Sequence, residues 1–288
     1  MGETTKLSRS YPREIVMPMP TFDALLDPVV KLAEEAAQAI LSIYAADFTV
    51  SDKDDTSPLT EADLAAHHIL VNGLSALTPD WPILSEEGGR PDFAERSGWA
   101  RYWLIDPLDG TKEFIKRNGE FTVNVALIDN HRPVLGVVHV PATGVYYAAS
   151  VGRGAFKAEA AGGAVHAIAV RPCPVGQRVV AVASRSHQSP EVAAYLERLG
   201  ACDLTSMGSS LKICLVAEGK ADIYPRLGPT SEWDTAAAQA VLEVAGGQIT
   251  DLAGAPMRYN AKADILNPYF LAFGDARRDW GAYLPSTD

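Results

Sequence analysis

Between residues 103 and 149 the apolar side chains fall into four short runs, 103–105, 121–128, 134–140 and 145–149, rich in β-branched and aromatic residues and separated by Gly, Pro or Asn. Runs this short, bounded by breakers, pair as strands rather than wind as helices. A sheet therefore occupies the middle of the chain, and the flanking segments must cover it. Upstream, Val29, Val30, Ala33, Ala36, Ala37, Ile40 and Leu41 recur at helical spacing, which predicts an amphipathic helix over 28–44. A second helix is expected after Thr60, with Thr60 as N-cap, Asp63 in the capping-box position and Leu64, Ile69, Leu70 and Leu74 as its buried stripe. Beyond the Gly-rich stretch 161–164, strand and helix alternate: strands at 179–183 and 221–224, helices at 191–199, 210–218 and 235–245. Gly246-Gly247 suits the left-handed C-cap of the last helix. Three parts are expected: a leader over 1–20 without apolar periodicity, an α+β half over 21–162 and an α/β half over 163–288.

Composition narrows the function. With 47% apolar and 21% charged residues the chain has a globular make-up, and it has neither a membrane-span-length apolar run nor a signal-peptide core, so the cytoplasm is the expected location. Cys173, Cys202 and Cys214 are odd in number and lack CxxC spacing, which suggests buried thiols rather than disulfides or a zinc cluster. A net charge of −11 without a Lys/Arg run speaks against a nucleic-acid partner. A small phosphorylated molecule remains compatible, provided divalent cations and a few placed basic side chains reverse the field locally.

The most informative segment is Trp103-Leu-Ile-Asp106-Pro-Leu-Asp109-Gly-Thr111-Lys-Glu-Phe114. An apolar strand is expected to end at Asp106, where Pro107 interrupts the ladder, and Gly110 permits a turn into a short helix near Thr111. Two carboxylates then converge on one turn beside helix-start N–H groups suited to a phosphate, and an oxygen-bound divalent cation is their natural counterion. Two further acidic elements are Leu84-Ser-Glu86-Glu87-Gly-Gly89 and Glu232-Trp233-Asp234. Each has an ordinary alternative: turn-forming aspartates at 106 and 109, a surface loop at 86, and helix caps at Asp63 and Asp234.

Taken together, the Ser-Glu-Glu loop, the Asp-Pro-Leu-Asp-Gly-Thr run and Trp233-Asp234 resemble the inositol monophosphatase superfamily over roughly residues 28–270. Within it the chain is similar to the CysQ-type 3′(2′),5′-bisphosphate nucleotidases, on Lys112-Glu113-Phe114, Ser57-Pro58-Leu59-Thr60-Glu61-Ala62-Asp63, the stretch from Gly208 to Lys220, and Tyr224-Pro225-Arg226. Ala238 departs from the glycine that many relatives carry there. The resemblance implies a layered α-β-α-β-α sandwich and two or three Mg²⁺ ions. One ion would be held by Glu86, Asp106 and the Leu108 carbonyl, another by Asp106, Asp109 and Asp234, and a third near Asp63 and Glu86. Asp63, Glu86 and Thr111 would then activate and orient water. Asp109, Gly110, Thr111, Lys112 and Asp234 would surround the reacting phosphate, Ser184, His187 and Ser209 would meet base and ribose, and Lys212 and Arg226 the non-reacting phosphate. The implied activity is lithium-sensitive removal of the 3′-phosphate from adenosine 3′,5′-bisphosphate to give AMP, extending to 3′-phosphoadenosine 5′-phosphosulfate, in sulfur metabolism. Alternatives are an inositol or sugar phosphatase and a non-catalytic nucleotide-phosphate binder. Some relatives are peripheral at the inner membrane, but no basic amphipathic helix supports that here; the oligomeric state is left open.

Overall fold

The computed structural model describes residues 21–45, 58–160, 162–184 and 189–285, with Ser184 described by its backbone alone. The expected leader lies outside them. The helices are α1 (Phe22–Tyr44), α2 (Pro58–Leu77), α3 (Phe93–Arg96), α4 (Thr111–Ile115), α5 (Pro190–Leu199), α6 (Leu211–Ala217) and α7 (Trp233–Val244). The strands are β1 (Ile83–Ser85), β2 (Arg101–Asp109), β3 (Thr122–Asp129), β4 (Arg132–Val140), β5 (Val145–Ser150), β6 (Gly154–Ala158), β7 (Val165–Ala167), β8 (Val179–Ser184), β9 (Cys202–Met207), β10 (Ile223–Arg226), β11 (Gln248–Asp251) and β12 (Phe270–Phe273).

β1 to β7 form a seven-stranded sheet in sequence order, antiparallel except for the parallel β1/β2 edge. The second sheet runs β11-β12-β10-β8-β9 and is mixed. Three apolar cores lie between five layers. α1 and α2 pack on the face of the first sheet that carries Trp103, Ile105, Val125 and Val137. α6 and α7 lie between the two sheets, against Leu104, Ala126 and Val138 on one side and Val182, Ile249 and Ala272 on the other. α5 and Trp280 close the outer face of the second sheet over Ala181, Ile223 and Leu271. The chain is thus an α-β-α-β-α sandwich. Among the described residues no helix is long and apolar enough to cross a membrane.

Local expectations needed correction at several ends. α1 begins at Phe22 and carries Pro28 inside it. α2 begins at Pro58, so Thr60 sits within its first turn instead of capping it, and the capping-box account of Asp63 fails with it. β2 does not end at Asp106 but continues through Pro107 to Asp109. The first sheet runs on through β7, past residue 162, and β6, β7, β9, β11 and β12 were not expected at all.

A helix between two sheets has no solvent face, which accounts for the run Thr235-Ala-Ala-Ala-Gln-Ala-Val-Leu242, buried at every position. Its small side chains let backbones meet: a Cβ at Gly136 of β4 would lie 2.2 Å from the Ala237 carbonyl oxygen and 2.8 Å from Ala240 Cβ. Gly136→Ala is therefore expected to force α7 off the sheet and to destabilise the protein by roughly 1 to 3 kcal/mol, read by urea denaturation; an unchanged midpoint would show that α7 accommodates the methyl.

Candidate active site

In a regular strand, residues three apart point to opposite faces. Asp106 and Asp109 line one cleft all the same. The pairing of β2 with β3 supplies the reason: Asp106 faces Asn124 and Asp109 faces Thr122, so three steps on β2 meet two on β3. The extra residue is a bulge, which restores the shared face, and Pro107, with no N–H to give a ladder, sits inside it. Asp106 Oδ1 accepts the Leu108 N–H at 3.1 Å, closing the turn. Gly110 follows with φ 99°, a left-handed conformation that starts α4 at Thr111. A third carboxylate arrives beside Asp106 because β1 runs parallel to β2 and the Glu86 N–H donates to the Ile105 carbonyl at 3.2 Å.

The second half delivers the rest. Asp234 stands in the first turn of α7, and its Oδ2 accepts the Ser231 N–H at 2.9 Å; it is not the N-cap. Between β9 and α6 the backbone comes close to the first half: a Cβ on Gly208 would lie 2.7 Å from Glu113 Cγ and 2.8 Å from the Glu120 carbonyl oxygen. The Gly208 N–H donates to Glu120 Oε2 at 2.8 Å and the Ser210 N–H to Asp109 Oδ2 at 2.7 Å, with Ser209 between them at φ 46°. Ser210 Oγ also donates to Asn124 Oδ1 at 2.8 Å. Lys212 Nζ donates to the Ser209 carbonyl at 2.6 Å and lies 5.6 Å from the centre of the Tyr224 ring. Arg226 Nη2 donates to the Pro229 carbonyl, while its buried Nε has no partner. The resulting cleft has a volume of about 320 Å³.

Its electrostatics are one-sided. Burial, then the charges of Asp109, Glu86, Asp234 and Asp63, hold Asp106 well above the usual carboxylate range. Burial and neighbouring carboxylates likewise raise Glu86, and push Asp234 up to about 7. Asp63 is pushed up to about 8 by burial and by Glu87 and Glu86, and its buried Oδ1 has no hydrogen-bond partner. Asp109 is raised by burial and eased by Lys212 and the Ser210 N–H. Lys212, pushed down to about 8 by its own burial, is pulled back up by Asp109. Among the described residues no three acidic, His or Cys side chains are already drawn into a closed metal cage. Hard oxygen donors that raise one another's pKa, with one buried oxygen left orphaned, nonetheless suit divalent cations such as Mg²⁺, whose charge would draw them inward.

The model of the inositol monophosphatase family matches residues 23–274. The chain belongs to this family. The 3′(2′),5′-bisphosphate nucleotidase CysQ of Escherichia coli strain K12 is 50% identical over 248 residues, covering 85% of this chain and 98% of that protein. Among solved structures, CysQ from Bacteroides thetaiotaomicron, a bacterial member of the same family, matches with a TM-score of 0.79 and 44% identity, over 88% of this chain and 97% of that one. An inositol monophosphatase from Zymomonas mobilis, at 24% identity, shares the fold with a TM-score of 0.73 over 90% and 95% of the two chains.

Of the residues singled out from sequence, the cleft brings together Glu86, Asp106, Leu108, Asp109, Gly110, Thr111, Lys112, Ser209, Lys212, Arg226 and Asp234. Asp63 does not line it; it stands behind, on α2, against Glu86 and Glu87. His187 and the Ser184 side chain lie outside the described residues. Sequence reasoning missed Glu120, Asn124 and Ser210, which hold Asp109 and the 208–210 loop. Asn124 had a signal: it is a polar residue inside an otherwise apolar strand, Val123-Asn-Val-Ala-Leu-Ile128.

The raised carboxylates set a pH dependence in this family member. A carboxyl whose folded pKa lies above its unfolded value contributes stability below the unfolded pKa and loses it as pH rises through the folded one. For Asp63 that window runs from its ordinary 3.8 to about 8. In chelator, Asp63→Asn is expected to be more stable than wild type at pH 8 by roughly 1 to 3 kcal/mol, the gain vanishing toward pH 4. Denaturation at several pH values reads this, and a pH-independent difference would refute it.

Proposed function

We propose that the protein is a Mg²⁺-dependent 3′(2′),5′-bisphosphate nucleotidase that removes the 3′-phosphate of adenosine 3′,5′-bisphosphate, giving AMP and phosphate, and that also accepts 3′-phosphoadenosine 5′-phosphosulfate. The observation that carries this reading is the meeting, in one cleft, of the carboxylate cluster with two basic side chains, Lys212 and Arg226. A monoester needs only the first; a second, non-reacting phosphate gives the second a purpose. The resemblance to bisphosphate nucleotidases along nearly their whole length points the same way.

Glu86, Asp106, the Leu108 carbonyl, Asp109 and Asp234 would hold two Mg²⁺ ions, with Asp63 and Glu86 at the site of a third. When bound, the ions supply the positive charge that lets a phosphate dianion approach the carboxylates and that stabilises the attacking and leaving oxygens. The chain's own groups do the rest. Thr111 stands at the start of α4, where its hydroxyl can accept from water and donate onward, orienting the nucleophile. Gly110, Thr111 and Lys112 line the cleft, where their backbone N–H groups would border the reacting phosphate. The Ser210 N–H and the Lys212 ammonium offset part of the rise that burial imposes on Asp109, which favours the charged form a ligand needs. Arg226 brings an unpartnered buried Nε, and Lys212 an ammonium that Arg226 destabilises, to one place; both gain from an anion set between them. The proposed setting is cytoplasmic.

Phosphate release from a panel of adenosine 3′,5′-bisphosphate, AMP and inositol 1-phosphate tests the reading. The bisphosphate is expected to be the preferred substrate, with turnover abolished by EDTA and restored by Mg²⁺. Preference for inositol 1-phosphate would install the inositol phosphatase reading, and binding without turnover the non-catalytic one. Lys212→Ala and Arg226→Ala are each expected to lower kcat/KM for the bisphosphate by about one to two decades, corresponding to the 1.5 to 3 kcal/mol of a charge-assisted contact, while affecting a simple monophosphate far less. Equal losses on both substrates would assign the two residues to structure or to the reacting phosphate.

A further inference from the structure

Asp234 stands on the opposite half of the molecule from Asp106 and Asp109, so its position depends on what joins the halves at the start of α7. Within its own half Ser231 holds it: the Ser231 N–H donates to Asp234 Oδ2, and the Ser231 carbonyl accepts Asn267 Nδ2 at 2.7 Å. The segment around Asn267 is laced to the same turn, with the Glu232 N–H donating to the Ile265 carbonyl at 2.9 Å and the Asn267 N–H to the Thr230 carbonyl at 2.8 Å. That segment is tied to the first half at Tyr259, whose N–H donates to the His131 carbonyl at 3.1 Å, and beside it through a set of three polar side chains almost wholly removed from water: Arg96 at 4% exposure, Asn260 at 1% and Glu232 at 1%.

Their bonds close a circuit. Arg96, the last residue of α3, donates through Nη1 to Asn260 Oδ1 and through Nη2 to the carbonyls of Lys262 and Ala263. Asn260 Nδ2 donates back to the Arg96 carbonyl, and the Asn260 N–H donates to Glu232 Oε2 at 2.8 Å. Asn260 makes these three contacts at φ 54°, a left-handed conformation that asparagine tolerates better than most residues but that still costs free energy. Burying a guanidinium and a carboxylate is a poor route to stability, since well-packed apolar residues of similar volume often serve as well or better. Such a circuit does supply direction: the three hydrogen bonds from Nη1 and Nη2 of a planar, rigid fork set the angle between α3 and the 260–263 segment.

We propose that Arg96, Asn260 and Glu232 form a buried strut whose role is to position Asp234 against Asp106 and Asp109 for the metal. The three are positioning residues, acting through the turn 230–232, and the inference rests on the metal reading of Asp234 given above.

Mg²⁺ alone is the probe. Thermal unfolding of the full chain is followed across a Mg²⁺ titration, with no substrate present. Wild type is expected to gain Tm with a defined Mg²⁺ midpoint. Asn260→Gly keeps the left-handed backbone and the N–H to Glu232 but loses both links to Arg96; its midpoint is expected to move to about tenfold higher Mg²⁺, as for loss of other groups that orient ligands, while kcat at saturating Mg²⁺ stays within about threefold. Arg96→Lys keeps the charge but not the fork, is the milder variant, and is expected to shift the midpoint the same way. If the variants lower the metal-free Tm and leave the midpoint where wild type has it, the strut is structural only and the proposal is overturned. Should Asn260→Gly fail to fold, Arg96→Lys decides by the same criterion. A wild type without any Mg²⁺ response would overturn the metal reading and the strut together, whereas a normal wild-type response with unshifted variants overturns the strut alone.

Discussion

Mutual repulsion among carboxylates in a poorly hydrated cleft is the constraint around which the rest of this molecule is arranged. Asp63, Glu86, Asp106, Asp109 and Asp234 come from four separate segments, α2, the turn after β1, β2 and α7; burial raises each of them, and neighbouring carboxylates add to the rise at Asp63, Glu86, Asp106 and Asp234. Left alone, such groups would swing outward to water. They are held by backbone: Asp106 by the Leu108 N–H, Asp109 by the Ser210 N–H, Asp234 by the Ser231 N–H. Backbone donors suit this task because they are fixed by the fold and leave one carboxylate oxygen free for a cation.

The need to hold these groups explains where the two sheets meet and why small residues line the contact. α7 carries Asp234 and is packed between the sheets, so its alanine-rich faces and Gly136 set how far Asp234 stands from β2. Gly208 performs the matching task on the other side, admitting the 208–210 loop against Glu113 and Glu120 so that Ser210 reaches Asp109. Packing of apolar surface therefore determines the geometry of a polar site some residues away. The same face of β3 that is apolar at Ala126 and Ile128 turns polar at Asn124 and Thr122 as it approaches the cleft, and those two residues hold Ser210 in turn.

Much of this was legible in the sequence, because periodicity and spacing are local properties. The central strand runs, the amphipathic helix near Val29–Ile40, the helix ended by Gly246 and the paired signature Asp-Pro-Leu-Asp-Gly-Thr with Trp-Asp each follow from residues close together in the chain. The acidic residues could be picked out one by one, but each carried an ordinary explanation as turn or cap. Tertiary structure removed those explanations for particular reasons. α2 starting at Pro58 took Asp63 away from the cap position, and the bulge at Pro107 turned Asp106 and Asp109 to the same face, although their spacing of three predicts opposite faces for a regular strand. β9, β11 and β12 are not marked by local pattern, because they are strands only by virtue of their neighbours. Which residues carry the charge and which central segments form strands and helices follows from local pattern; that Asp234, Lys212 and Arg226 share a cleft with Asp106 and Asp109 does not, because hydrogen bonds such as Ser210 to Asp109 join residues far apart in the chain and depend on two halves being packed at one distance.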